Sequence, residues 1–478
     1  MGQSFLRAVY LTVIYIFSTI YTYGQENTST IQPKLLTLEE AAEILRNNNR
    51  TIKIAEERIA SAKAQKQQLN SSWYPVITAV GGYLHSSNDI SAKANLGNMA
   101  QDIIGAFPAL EQLLPQLEQI ISSLGNMTLT IPLLKQNLTT IDAAALWPLI
   151  TGGKRIYASR IGKELEHTAH LLYSNACNTQ MALMINAYYT LKLSNQVKEM
   201  QLENLQYLNK LQHNALRLKE EGFINKAEYL IVQVAAQEAQ QQLKNSEANE
   251  KIALQALNTI LGTNTQAIPC TPYLLPDNIP KTNYINTVLS YNIQLEILNT
   301  QQKIIENKKK IAIAGYLPDI ALIARQNLYT NNIPSNLLPR SMVGATFQWN
   351  IFNGLYREKE IRKSNIENRE LQLATEQTRM ELATAASALQ SKMEDAANNI
   401  KTMKLTTTLA KELLREREKS FMEGMCTSTE VVEAKAALLK SETALSLACW
   451  EYNTTLANLL ALCSNSEQFI ELYHEYEQ

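Results

Sequence analysis

The sequence predicts a mainly α chain with a small β-barrel portion: duplicated long α-helical hairpins and four strands of membrane-crossing length. Three observations carry this. Glycine (16) and proline (13) are scarce in 478 residues. Average usage would supply about 33 and 24, and both residues break helices. Beyond Gly153, the chain up to Glu221 holds only Gly162 and no proline, and residues 355–423 hold neither. At about 1.5 Å per residue, such a run reaches roughly 100 Å, so it must pack lengthwise on partner helices. Between the helices the apolar period changes from helical to alternating, the mark of strands.

In chain order, residues 1–24 read as a secretory signal. Arg7 gives the positive start and residues 8–20 the apolar stretch. Thr22 and Gly24 are the small residues before a cut ahead of Gln25. An N-terminal extension, 25–37, follows. The first structural repeat is 38–262. It reads as a helix over 38–71 weakened at 47–49, strands near 75–85 and 141–149, and a long helical hairpin. A Pro-rich linker, 263–282, carries Pro269, Pro272, Pro276 and Pro280 as an extended segment. The second repeat is 283–463. It has a helix over 283–313 weakened at Asn292, strands near 318–329 and 342–352, and a second long hairpin. Residues 464–478 read as a C-terminal tail. Residues 86–140 form an enlarged loop whose stretches 99–107 and 110–124 look like short amphipathic helices.

Constant offsets expose the duplication. A shift of 202 residues sets Trp147 on Trp349, Gly152 on Gly354, Arg155 on Arg357, Glu221-Gly222 on Glu423-Gly424 and Glu228 on Glu430. Upstream the shift is 243, with Asn49 on Asn292 and Pro75 on Pro318. The difference of 41 residues requires an insertion between Pro75 and Trp147. Two units make one duplicated architecture rather than a solenoid.

The strands alternate. Val343, Ala345, Phe347, Trp349 and Ile351 form one face, and Gly344, Thr346, Gln348 and Asn350 the other. About ten such residues cross a bilayer in a tilted barrel. Trp73, Tyr74, Tyr83, Trp147, Tyr316, Tyr329, Trp349 and Phe352 lie near strand ends, where they suit interfacial girdles.

Other classes find no support. Lys+Arg is 44 and Asp+Glu is 45, a net charge of -1, so no nucleic-acid partner is expected. There is no P-loop, GxSxG or HExxH pattern, so neither an enzyme nor a cofactor is expected. Cys177, Cys270, Cys426, Cys449 and Cys463 are widely spaced with no CxxC, and suggest neither a disulfide framework nor a zinc site. His167 and His170 lie near Glu164 and Glu166 but lack a third ligand on that face, so no metal is expected.

The junctions carry a resemblance. Leu36-Thr-Leu-Glu-Glu-Ala-Ala42, Trp73-Tyr-Pro75, Gly315-Tyr-Leu-Pro318, Trp349-Asn-Ile-Phe-Asn-Gly354 and the run from Glu423-Gly424 to Glu433-Ala434 follow one another in duplicated order. In this the chain resembles the TolC family of outer-membrane efflux ducts, over residues 36–463. The resemblance implies a homotrimer. Each protomer would give four strands to a 12-stranded transmembrane β-barrel, and the helices would form a periplasmic helical barrel. It implies a passive exit duct set in outer-membrane lipid, conducting small molecules or proteins. An inner-membrane pump, met directly or indirectly, and a periplasmic membrane-fusion adaptor would feed it.

Two turns join the long helices: Gly222-Phe-Ile-Asn-Lys-Ala-Glu228 and Gly424-Met-Cys-Thr-Ser-Thr-Glu430. Gly222 and Gly424 suit left-handed helix ends, and Asn225 and Thr427 suit N-caps with Glu228 and Glu430 in capping boxes. The resemblance makes these turns the periplasmic tips. It offers Glu228, Glu430 and Glu433 as gate candidates, with acids at Glu430 and Glu433 common in the family. It offers Gly222, Phe223, Ile224, Gly424, Met425 and Cys426 as tip or adaptor contacts, with Cys426 where a basic residue is common. The alternative is a periplasmic coiled-coil adaptor or structural rod of a transport system. Adaptors of that type carry Gly-rich β-domains flanking one hairpin, whereas this chain has two hairpins and no such flanks.

Overall fold

A computed structural model describes residues 34–88, 90–95, 98, 128–134, 136–276, 284–331 and 339–477. The expected signal and the two expected loop helices lie outside the described residues. The first repeat runs β1 (Lys34–Leu36), α1 (Leu38–Asn48), α2 (Arg50–Asn70), β2 (Val76–His85), β3 (Ile90–Asn95), β4 (Thr128–Leu134), β5 (Asn137–Thr151), α3 (Lys154–Glu220) and α4 (Lys226–Leu261). The second runs β6 (Ala267–Pro269), α5 (Tyr284–Tyr291), α6 (Ile293–Ala314), β7 (Asp319–Asn331), β8 (Ser341–Gln348), α7 (Tyr356–Met422), α8 (Ser428–Leu462) and α9 (Gln468–Glu477). Among the described residues no helix is long and apolar enough to cross a membrane.

The chain divides into two compact units. One comprises residues 1–59, 169–298 and 373–478, and the other residues 60–168 and 299–372. The first holds the main hydrophobic core. There α1 starts at Thr37 in a capping box with Glu40 and buries Leu38, Ala41, Ala42 and Leu45, one helical face. Burying a leucine of that kind contributes roughly 1.5–3 kcal/mol. The break between α1 and α2 falls at Asn49. Its amide donates to Ile260 O at 2.7 Å, and its Oδ1 accepts from Ile52 N–H at 3.0 Å. The break between α5 and α6 repeats this: Asn292 donates to Leu462 O at 2.8 Å and accepts from Gln294 N–H at 2.9 Å. The Asn pair obeys the 243 offset and the two acceptors the 202 offset, so the duplication extends to single hydrogen bonds.

The second unit holds an antiparallel sheet of order β2-β5-β7-β8. The strand expected near 342–352 stops at Gln348. Beyond it, Asn350 O and Ile351 O accept from Arg357 at 2.8 Å each, so these carbonyls bond a side chain instead of a strand. Three further segments carry short elements. The linker contains β6, which pairs in parallel with β1 of the N-terminal extension. The enlarged loop contains the β3–β4 hairpin and the start of β5. The tail contains α9, whose Phe469 is fully buried against Tyr189. Each is a short element fixed by a distant partner, beyond the reach of local periodicity.

Candidate functional site

The tips lie in the first unit. Each long helix ends in a Schellman turn. Phe223 N–H donates to Leu218 O at 2.8 Å and Gly222 N–H to Lys219 O at 3.1 Å. Met425 N–H donates to Ser420 O at 2.8 Å and Gly424 N–H to Phe421 O at 3.1 Å. Gly222 (φ +82°) and Gly424 (φ +71°) take the left-handed position that a Cβ penalises. The return helices start with the expected N-caps, but only the second closes a full capping box: Asn225 Oδ1 accepts from Glu228 N–H while the Glu228 carboxylate takes the Asn225 side-chain amide, and Thr427 and Glu430 bond reciprocally. The tips bear on one another where Ser428, fully buried, donates to Glu228 O at 3.3 Å.

The three acids differ. Glu228 is half-buried, its carboxylate 3.4 Å from the Asn225 amide. Glu430 is half-buried and accepts from Arg417 Nη1 at 2.5 Å. Glu433 is exposed, with no ion-pair partner among the described residues. Nothing in the sequence singles out Arg417, which lies 13 residues before Glu430. The repeat offset sets it on Ala215, so the first tip has no equivalent arginine. Cys426 Sγ donates to Arg417 O at 3.3 Å, and burial first, then the Glu430 carboxylate, pushes its thiol pKa up. Phe223 and Met425 are exposed at 75% and 71%, while Ile224 and Cys426 pack partly against the tip core. Just above the tips, α3 and α7 flank a groove of about 400 Å³ lined by Tyr207, Leu211, Phe421 and Val431. Burial first, then the bond to Glu418, raises the Tyr207 phenol above its usual range.

The sheet of the second unit has two unlike faces. Register puts Ile77, Ala145, Leu322 and Ala345 on one face, with Trp147, Val343 and Phe347. The other face carries Thr78, Ala144, Arg325 and Met342, with Asp142, Thr346 and Gln348. The expected girdle residues Trp73, Tyr74, Tyr83, Trp147, Tyr316, Tyr329, Trp349 and Phe352 are all exposed. Trp147 and Trp349 are held alike, donating to Trp73 O at 3.1 Å and Tyr316 O at 3.0 Å. His167 and His170 gather no metal cluster: among the described residues no group of three or more His, Cys, Asp or Glu could hold an ion. Glu166 is paired with Lys66 at 2.5 Å, and all five cysteines are free.

Comparison with known proteins adds the family. The outer membrane efflux protein family matches residues 41–263 and 284–465, and the gap falls on the linker between the repeats. No curated protein sequence matches the chain. Among solved structures, CusC is similar with a TM-score of 0.72 at 13% identity, over 90% of this chain and 92% of that one. The outer membrane protein VceC of Vibrio cholerae gives 0.68 at 14%, over 90% and 96%. The MtrE outer membrane channel of Neisseria gonorrhoeae gives 0.67 at 13%, over 90% and 89%. These likenesses show the fold; the match over both repeats shows the family. The chain belongs to the outer membrane efflux protein family, an exit duct of the outer membrane with a helical extension in the periplasm.

Proposed function

We propose that three copies of this chain close into one passive duct, gated at its periplasmic tips and fed by an inner-membrane pump through a periplasmic adaptor. The observation that carries this reading is the open sheet. Its edge strands, β2 and β8, each have one partner among the described residues, and one sheet face is apolar. In lipid an unpaired edge is untenable, so the sheet must close on something. Four antiparallel strands leave β2 and β8 pointing in opposite directions, so β8 of one copy can continue onto β2 of the next. Three copies of a four-stranded sheet give about 12 strands, an even number as such barrels have.

At the tips, three exposed Glu433 carboxylates would form a ring that favours cations. Glu430, already engaged by Arg417, and Glu228, behind its cap, contribute less until those bonds open. Exposed Phe223 and Met425, on Gly222 and Gly424 turns, suit an adaptor contact, with Ile224 and Cys426 supporting them from below. The test is mass and conductance. The detergent-solubilised protein should run as a trimer and conduct in a planar bilayer. Glu433→Ala should lower cation selectivity with the trimer intact. Unchanged selectivity in the Glu430→Ala/Glu433→Ala double variant would remove the gate assignment, and a monomer soluble without detergent would remove the duct.

A further inference from the structure

The four-stranded sheet contains three permanently charged side chains, Asp142, Asp319 and Arg325, and register sets all three on one face. Arg325 stands opposite Ala144 and Met342, and Asp142 opposite Val80 and Asn327. In a barrel closed from this sheet the apolar face meets lipid, so the charged face meets the lumen. Arg325 Nη2 donates to Asp142 Oδ2 at 2.8 Å, and Asn327 Nδ2 donates to Oδ1 at 2.9 Å. Both carboxylate oxygens are therefore engaged. Asp319, at the start of β7, takes Lys154 Nζ at 2.7 and 3.0 Å. Each inward acid has its own cation, and neither leaves net charge on the wall.

Resting on the duct reading proposed above, we infer that Arg325 is a specificity-determining residue of the transmembrane lumen. It cancels Asp142, so that solutes of either charge pass the barrel and discrimination is left to the tips. Without it, three Asp142 carboxylates would form a ring, the arrangement that makes a pore cation-selective. Without Asp142, three guanidinium groups would do the reverse. A pair turned away from the lumen would not produce opposite signs from its two halves.

The experiment compares wild type, Arg325→Gln, Asp142→Asn and the double variant in planar bilayers, after each is shown to be a trimer. Salt is about 10 mM KCl on the extracellular side and about 100 mM on the tip side. The Debye length is then about 30 Å at the barrel and about 10 Å at the tips, so wall charge is felt in the barrel and screened at the gate. Arg325→Gln should raise the K⁺/Cl⁻ permeability ratio by about twofold or more, and Asp142→Asn should lower it comparably. The double variant should return to the wild-type ratio. Thr346→Asp, which adds a carboxylate to the same face four residues along from Met342, the β8 partner of Arg325, and leaves the ion pair in place, should also raise the ratio, and it stands in should Arg325→Gln not assemble. Single variants that leave the ratio unchanged, or that move it in the same direction, would overturn the inference while leaving a conducting duct. A wild type that conducts nothing would overturn the duct reading itself.

Discussion

The hydroxyl of Tyr188 donates to Leu36 O at 2.7 Å and accepts from Thr271 N–H at 2.9 Å, with no part of the residue exposed. It ties α3 to β1 on one side and to the segment after β6 on the other. Tyr188→Phe would keep the ring and strand Thr271 N–H, while Leu36 O keeps the Cys270 N–H at 3.1 Å, costing about 1–3 kcal/mol. Burial also raises the phenol from 10.0 to about 12. The folded state thus favours the neutral form. That contribution is whole below pH 10.0 and is lost as pH rises towards about 12, because the unfolded chain gives up its proton first. Burial of Cys463, from 9.0 to about 11, adds an earlier slope of the same sign. Urea unfolding at pH 8 and across the alkaline range should show the Phe variant less stable, with a shallower fall above pH 10; identical curves would refute the argument. None of this is legible in the sequence, where Tyr188 reads as one apolar position among many and its partners lie 152 and 83 residues away.

At the scale of elements, each passage from strand to long helix is fastened by one arginine. Arg357 donates to Gly315 O at 2.5 Å and to Asn350 O and Ile351 O at 2.8 Å, with its guanidinium 4.3 Å from the Tyr316 ring centre. Arg155 donates to Leu149 O at 2.5 Å and Ser72 O at 3.4 Å and lies 4.4 Å from the Trp73 ring centre. One planar fork thereby joins the end of a preceding helix, the end of a strand and the start of the next helix. Arg357→Ala should cost about 3 kcal/mol, since it frees three carbonyls at a part-buried site. Arg155→Ala should cost less, with two carbonyls freed and one of those bonds long. Lysine at position 357 should rescue only in part, because an ammonium cannot fork to three acceptors in a plane. Thermal unfolding of the three variants checks the order, and equal losses would refute it. The repeat offset sets Arg155 on Arg357, so the positions are legible, but an offset does not say what a guanidinium bonds. The helix breaks at Asn49 and Asn292 are legible because asparagine disfavours helix interiors locally. By contrast, β8 reads too long because alternation continues past the point where Arg357 takes the carbonyls.

For the whole molecule, the order helix, strand, strand, long hairpin, twice over, follows from scarce glycine, two periods and two offsets. The pairings β1–β6 and β3–β4 and the docking of α9 do not, because each joins short segments whose stability comes from a remote partner. The sheet is the element whose surroundings decide its meaning. A sheet in water would tolerate a charge on either face once its partner was folded. A sheet closed in lipid would not, since lysine on the lipid side near the bilayer centre costs about 2–4 kcal/mol, whereas lumen substitutions mainly tune selectivity. Val343 and Thr346 are both on β8, three residues apart and on opposite faces. Val343→Lys should therefore cut the yield of assembled trimer in outer membranes sharply, while Thr346→Lys should assemble normally and shift the conducted ions towards anions. Extraction of membranes followed by sizing in detergent reads the first effect, and bilayer reversal potentials read the second. Equal tolerance of both lysines would mean that the apolar face is not the one against lipid, and the assignment of lumen and exterior would have to be exchanged or abandoned.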